Sequence, residues 1–570
     1  MTNKKILERN SLTKRISIFI IFLKKFFPGI REIKRERLSF CGAILSGILF
    51  ILIFPKPSLS FLAWVTLVPF LLSIKGKSPK ISFWLGLVFG FIGFYGSLFW
   101  VNWIRKYNPI AVFGIPFLCL YLACYPALFA LAVSYLEKYL KRFHFLFSAT
   151  LWTSLEYLRS LGQLAFPWNY LSASQVDSTR LIQICDFSGV FGVSFLIVLT
   201  NQFLADMIFY FKKKDYRKIP LEIAILSGCL VLTFVYGTFR LKEKFDEGTY
   251  KIKIGVVQPS IPQDIKLKSY SDPDQSVQKK LQEGIAQKLF SMIQREKGKG
   301  IDLFILPETA FTDQCFDINF ELHKTLESIA REVEADFFFG ADRLVMLNKD
   351  GEITNDKNEF VGLGAYNSAW FLSKTGGLNL NSYDKIHLLA FGEYLPYFDK
   401  IPFFQEMIVQ IGSFLKGEKI AIFESKNIKF GGGICFESVF GELMRRFRIA
   451  GADFLTIITN DGWYEETAGP LQHTDFCVFR AIENRCWLVR CGNNGISGFI
   501  SPHGIWTSKS KINEVGVLID EINIDKNVRS FYSRYGDVFA QILLLLTFLT
   551  ILKFLLPPLI LRKTHTTHKS

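Results

Sequence analysis

The chain has 570 residues, half of them hydrophobic and 58 of them phenylalanine, too apolar for an ordinary soluble enzyme and long enough for several structural units. Its 67 Lys and Arg exceed its 51 Asp and Glu by 16. That excess sits mainly at the ends of apolar segments, where it sets membrane topology, so no nucleic-acid partner is expected.

Residues 1–38 are polar and basic around a short apolar patch, Ile16 to Leu23. The patch is too short to span a bilayer, which takes about 20 residues, and suits an amphipathic helix in the interface. No small-residue cleavage site follows it, so it reads as part of the mature chain. Seven apolar spans follow, roughly 39–55, 60–74, 81–103, 110–136, 143–161, 180–211 and 219–239, and an eighth runs from Asp537 to about Leu556. With the N-terminus inside, the inside loops are Lys75 to Lys80, Glu137 to Arg142 and Lys212 to Lys218, all rich in Lys and Arg. The outside loops, Pro55 to Ser58, Ile104 to Pro109 and Gly162 to Thr179, carry few positive charges. The positive-inside rule then puts the insertion between spans seven and eight outside. The expected division is a basic segment 1–38, a seven-helix membrane domain 39–240, an outer domain 241–535, and a last span with its tail, 536–570.

The insertion alternates short Val/Ile/Phe runs with helix-like stretches such as Gln275 to Lys297 and His323 to Glu334. Eight strands are predicted: 251–258, 302–307, 335–340, 368–372, 429–435, 454–460, 487–491 and 497–501. Such alternation predicts a layered α/β domain. The segment between Glu393 and Lys429 is long and apolar (IPFFQEMIVQIGSFL), which favours a lid or a surface dipping into lipid.

Three strand ends carry the chemistry. Ile301 to Glu308 (IDLFILPE) ends in a carboxylate. Tyr383 to Leu388 (YDKIHL) supplies Lys385, with Glu393 just beyond it in FGEYLP. Phe430 to Glu437 (FGGGICFE) places Cys435 and Glu437 after three glycines, which allow a close backbone approach and a sharp turn. A thiol at its ordinary pKa is only a few per cent thiolate at neutral pH and needs a base. Glu308 supplies one, and Lys385 can stabilise both the thiolate and the oxyanion formed on a carbonyl. These segments resemble the nitrilase superfamily with its Glu-Lys-Cys triad. So do Lys253 to Gln258, Tyr366-Asn367-Ser368, Asn460 to Tyr464, Arg480 to Arg485 and Gly492 to Gly495. The resemblance implies a four-layer αββα sandwich. The seven histidines form no HExxH or His/Cys cluster, and no phosphate loop appears, so neither metal nor cofactor is expected. The spacing of Cys477, Cys486 and Cys491 argues for no disulfide but leaves one open.

A nitrilase-like domain held outside between seven spans and one resembles the apolipoprotein N-acyltransferase family over nearly the whole chain. Gly93 to Trp103, Glu156 to Arg159 and Phe166-Pro167-Trp168 resemble its membrane half. That resemblance implies a two-step transfer at the outer face of the bacterial inner membrane. Cys435 takes an acyl chain from a phospholipid as a thioester, then passes it to the α-amine of a diacylglyceryl-modified N-terminal cysteine. Glu308 is the base, Lys385 the oxyanion and thiolate stabiliser, and Cys435 the nucleophile. Glu393 and Glu437 are supporting candidates, Glu437 equally suited to a structural task. Asn367 and Trp463 read as scaffold or pocket wall, and the Glu156/Arg159 pair as structural or headgroup-binding. A monomer is expected. The sequence departs from the family at Phe436, where Tyr is usual, and at Ile265-Lys266-Leu267, where a Trp often stands. The alternatives are a membrane-anchored amidase or acyltransferase with another acceptor, a non-catalytic lipid binder and a transporter. The intact triad argues against the binder, and the apolar spans argue against the transporter.

Overall fold

The computed structural model describes residues 28–566, apart from 108, 110, 141–142, 215, 218, 246–249, 314–319, 350–351, 355–360, 391, 395–413 and 528. The patch Ile16 to Leu23 and nearly all of the apolar lid candidate lie outside the described residues.

Among the described residues the longer helices of the membrane half are α1 Arg37–Leu52, α2 Val68–Ile74, α3 Pro79–Ser97, α4 Ala111–Leu140, α5 His144–Leu158, α6 Phe191–Lys213 and α7 Ile219–Arg240. Among the described residues four helices are long and apolar enough to cross a membrane, Pro79–Ser97, Gly114–Leu140, Phe191–Lys213 and Ile219–Arg240. The second expected span is broken into a short turn, Ser60–Trp64, and α2, which carries Pro69 in its first turn. The sixth expected span begins late, at Phe191. Residues 179–188 instead form two short helices, ended at Gly189 with φ +61°, and Asp186 within them is a buried partner of Arg485. Small residues let α3 and α4 touch: a Cβ at Gly86 would lie 2.4 Å from the Pro126 carbonyl oxygen, and one at Gly90 2.8 Å from Ala123 Cα.

The bundle has a charged end and a docked end. At the first, Lys75 pairs with Glu137 and Asp206, Lys77 with Glu36 and Lys80 with Glu32. The predicted inside loops around Lys75 and Glu137 therefore share one end. At the other, Pro55, Ser97 and the segment around Trp168 meet the second half of the chain.

That half is two six-stranded sheets. The first runs β12-β1-β2-β3-β4-β5 and the second β11-β10-β9-β8-β7-β6. In chain order the strands are β1 Tyr250–Gln258, β2 Leu303–Ile305, β3 Asp336–Leu347, β4 Gly362–Ser373, β5 Gly377–Asp384, β6 Phe423–Ser425, β7 Ile428–Ile434, β8 Phe454–Thr459, β9 Leu488–Gly492, β10 Gly498–Ile500, β11 Trp506–Lys509 and β12 Gly516–Ile524. All eight expected strands are present. Four more, β5, β6, β11 and β12, are not expected from the sequence; β5, β6 and β11 are short or alternate with polar residues, while β12 carries only the brief run Val517-Leu518-Ile519. The sheets pack face to face through Ile254, Ile305 and Phe338 on one side and Phe430, Phe454 and Ile457 on the other. The Phe338 and Phe430 rings meet edge to face at 5.3 Å. A short helix α8 (Gln263–Ser271) follows β1, and α9 (Gln275–Gln294) and α10 (Phe320–Val333) cover the first sheet through Leu289, Ile293, Leu326 and Ala330. Helices α11 (Gly441–Ile449) and α12 (Ala468–Asn484) cover the second. The order helix, sheet, sheet, helix is the expected sandwich. The last helix, α13 (Val538–Thr566), returns to α5, where Ser154 and Thr547 hydroxyls lie 2.9 Å apart.

Candidate active site

Glu308 leaves the buried strand β2 three residues after its end and is 6% exposed. Its carboxylate is fixed from both sheets. Oε1 accepts from Asn367 Nδ2 on β4 at 2.7 Å, and Oε2 accepts from the Asn460 backbone N–H, just past β8, at 2.8 Å. Two carbonyl-side lone pairs are thereby committed, and the group is aimed before any substrate arrives.

Lys385 follows β5 directly and is 1% exposed. Its backbone N–H donates to the Asn367 carbonyl at 2.9 Å, so one residue of β4 orients both the Glu308 carboxylate and the Lys385 segment. Lys385 Nζ lies 2.7 Å from Glu393 Oε1 and 3.6 Å from Glu308 Oε1. Burial alone would lower its pKa, but the Glu393 and Glu308 carboxylates outweigh that and the net shift is upward. The group stays an ammonium with three N–H donors, of which one remains for a developing oxyanion.

Cys435 closes β7 and is partly exposed. The strained residue of this turn is the cysteine itself, at φ +53°, rather than any of the three glycines before it. Those glycines answer to close approach: a Cβ at Gly432 would lie 1.7 Å from the Thr456 carbonyl oxygen, and one at Gly433 2.8 Å from Glu437 Cβ. Thr309, next to the base, is also left-handed at φ +46°. Such strain clusters where neighbours over-determine the backbone. Burial and then the Glu308 carboxylate push the Cys435 thiol up, and Lys385 offsets only part of this. The resting Cys435 thiol is therefore neutral, beside a carboxylate and an ammonium. A thiol in that state must lose its proton before it can act as a nucleophile.

The two supporting carboxylates differ. Glu393 belongs to the reacting cluster: besides Lys385, its Oε2 accepts from the Leu389 N–H at 2.7 Å. Glu437 is fully buried and closed off. Its Oε1 accepts from Tyr383 Oη (2.8 Å), Ile386 N (2.7 Å) and His387 N (2.9 Å), and its Oε2 from Ile434 N (2.7 Å). It ties the segment carrying Lys385 to the turn carrying Cys435, the structural alternative of the two. Burial pushes it up to about 7, against the backbone N–H groups that favour its anion.

Asn367 does more than scaffold, since it touches the base. Trp463 packs edge-on against Tyr107 of the membrane half, 5.5 Å between ring centres. Phe436 stacks on Trp168, with centroids 6.2 Å apart and planes 9° from parallel, so the ring at this departure seals the joint between the halves. Glu156 accepts from Trp152 Nε1 (3.0 Å) and the Leu171 N–H (3.1 Å), which fastens α5 to the loop that follows it. The Arg159 guanidinium lies between the Phe94 and Tyr170 rings, 5.1 and 5.0 Å away. Cys477, Cys486 and Cys491 are free, buried thiols.

Sequence reasoning missed Lys266. It sits on α8, 2% exposed, and its Nζ donates to the Glu308 carbonyl oxygen at 3.1 Å and to Thr309 Oγ1 at 3.3 Å. Burial lowers its pKa to about 8. The absence of the family's usual Trp drew attention to Ile265-Lys266-Leu267, but the lysine itself was the signal. The Asn460 N–H was invisible, because a backbone donor has no residue type.

The family description "Apolipoprotein N-acyltransferase N-terminal domain" matches residues 46–203, and "Carbon-nitrogen hydrolase" matches residues 253–528. The chain is 34% identical over 513 residues to an apolipoprotein N-acyltransferase of Geobacter metallireducens, covering 88% of this chain and 93% of that one. It is 28% identical over 544 residues to apolipoprotein N-acyltransferase 1 of Treponema denticola, covering 90% and 96%. For an apolipoprotein N-acyltransferase of Aquifex aeolicus the identity is 29% over 473 residues, covering 81% and 93%.

Proposed function

The chain belongs to the apolipoprotein N-acyltransferase family, and from that premise we propose how its own residues carry the reaction. It is a membrane enzyme that N-acylates lipoproteins, with a lipid as its other substrate. We assign the donor as a phospholipid and the acceptor as the α-amine of a diacylglyceryl-modified N-terminal cysteine.

Glu308 removes the Cys435 thiol proton as sulfur attacks an ester carbonyl of the donor. Lys385 stabilises the oxyanion. The C–O bond breaks, Glu308 returns the proton to the leaving alkoxide, and a lysophospholipid departs from a Cys435 thioester. The acceptor amine then attacks the thioester, the C–S bond breaks, and Glu308 carries the amine's proton to the leaving thiolate. A thioester is reactive enough to acylate an amine without a nucleotide. Glu393 holds Lys385 between two carboxylates and keeps it charged throughout.

One observation carries this reading: a buried carboxylate, gripped from both sheets, beside a neutral strand-end thiol and a buried ammonium. The docked end of the bundle lies beside that site, so lipids reach it without passing through water. We place this face outside the bacterial inner membrane and residues 241–535 as the catalytic domain. Glu308, Lys385 and Cys435 meet within one chain, and we take a monomer as the working unit. The test is the intact mass of the full-length protein after incubation with phospholipid. A fatty-acyl adduct on Cys435, discharged by a diacylglyceryl-cysteine peptide, is expected. Release of free fatty acid without transfer to the peptide would refute the acceptor assignment.

A further inference from the structure

Two consecutive residues of α12 join the nucleophile to the membrane half. Gln472 and His473 are both buried. A side-chain amide has two lone pairs and two N–H donors, and Gln472 uses all four. Its Oε1 accepts from the indole N–H groups of Trp100 (3.1 Å) and Trp168 (2.9 Å), and its Nε2 donates to the carbonyls of Pro55 and Ser97, both at 3.1 Å. Every partner belongs to the membrane half, and they come from three separate segments of it.

His473 serves the site. Its Nε2 lies 3.0 Å from the Cys435 carbonyl oxygen and 2.9 Å from Ser438 Oγ. Its Nδ1 lies 2.8 Å from Asp461 Oδ1, and Asp461 Oδ2 accepts from Arg490 Nη2 at 2.7 Å. The imidazole also stacks on Trp168, 5.7 Å between centres, one of the two indoles that Gln472 holds. A left-handed cysteine persists only where its surroundings fix it. The Cys435 carbonyl, pinned by a ring that is itself fixed by Asp461, is such a restraint.

We propose that His473 and Gln472 are positioning residues for the acyl transfer. His473 holds the turn that aims the Cys435 thiol, and Gln472 seats that turn against the rim from which the lipid ester is presented. The inference rests on Cys435 being the nucleophile. A misplacement of about 1 Å between reacting groups costs on the order of 100-fold in rate.

The test uses the full-length enzyme in phospholipid vesicles and two acyl donors, the phospholipid itself and a soluble short-chain p-nitrophenyl ester. Iodoacetamide alkylation of Cys435 and thermal unfolding are measured alongside. His473→Ala is expected to lower kcat for adduct formation about 100-fold with both donors, with KM and the alkylation rate within about threefold of wild type. His473→Gln, whose amide N–H can reach the same carbonyl, is expected to recover part of that loss. Gln472→Glu keeps the acceptor for the indoles but loses both donors. It is expected to slow transfer from phospholipid at least tenfold more than from the soluble ester. Wild-type kcat in His473→Ala would overturn the proposal, as would a parallel fall of acylation, alkylation and stability, which is what a purely structural residue gives. Equal slowing of both donors by Gln472→Glu would remove Gln472 from it. If His473→Ala does not fold, the other two variants decide. Absence of any adduct in the wild type would refute the underlying nucleophile assignment instead.

Discussion

Removing the Glu437 carboxylate should separate its role in holding the site from the chemistry. In Glu437→Ala four buried donors, three backbone N–H groups and the Tyr383 hydroxyl, lose their acceptor together. A buried donor left unpaired costs about 1–3 kcal/mol, so four cost about 4–12 kcal/mol. That is comparable with the whole stability of a domain, about 5–15 kcal/mol. Glu437→Ala is therefore expected not to yield a folded catalytic half. Glu437→Gln is milder. Its carbonyl oxygen can keep the three donors on Oε1, and its NH2 then faces the Ile434 N–H, a conflict worth about 1–3 kcal/mol. At about 2–4 °C per kcal/mol, the thermal midpoint should drop by roughly 2–12 °C while the adduct on Cys435 still forms. Unfolding followed by intrinsic fluorescence, with intact mass after phospholipid, reads both quantities. A wild-type midpoint in Glu437→Ala would refute the reasoning. So would loss of the adduct in a Glu437→Gln protein of unchanged stability, which would move Glu437 into the chemistry.

Cys435→Ala should fold and form no adduct, and Cys435→Ser should be nearly as inactive, because Glu308 cannot readily ionise an alcohol; transferase activity in Cys435→Ala would end the covalent mechanism. Glu308→Gln and Lys385→Met should each lose at least about 100- to 1,000-fold in adduct formation, and turnover near wild type in either would break the triad. Burial, then Lys416 and Arg446, hold His387 down at about 4, well below its ordinary 6.5. The unfolded chain thus takes up a proton near pH 6.5 that the folded one does not, and stability falls as pH drops from 6.5 to 4, by up to about 3 kcal/mol. His387→Phe should flatten that slope, and an identical slope in both proteins would refute it. A single cysteine at Ser78 should be shielded from an impermeant thiol reagent in intact cells and one at Asp272 should react; the reverse pattern would turn the protein around.

Apolar runs and loop charges made most of the architecture legible before the structure. The eight strands read from the sequence are those with continuous Val, Ile or Phe. The four unread ones are the sheet edges, where one face meets solvent and polar residues are tolerated, as in Trp506–Lys509, whose residues alternate half-buried and exposed. The late start of the sixth span has the same origin. Residues 180–190 are apolar enough to extend a helix, yet Asp186 and Gln183 are bound by Arg485 from some 300 residues away, and that pull exceeds local propensity.

The proposed triad could be read because each member ends an element and its chemistry is written in its residue type. What orients the triad could not, because it depends on which buried polar groups meet. Asn367 reaches Glu308 across 59 residues, Asn460 across 152, and Gln472 finds Trp100 across 372. Residue type does not say which atoms these groups reach; burial commits them, Asn367 to Glu308 and Glu393 and Gln472 to four partners in the membrane half. The same logic accounts for how the two halves cooperate. Glu308 and Lys385 are oriented from within the sandwich, by β4 and the end of β8. The nucleophile is different: its turn is held by His473, its neighbour Phe436 lies on Trp168, and Trp168 is held by Gln472. The joint between the halves therefore bears most directly on the sulfur, so damage to that joint should show first as a misaimed thiol rather than as a lost proton acceptor.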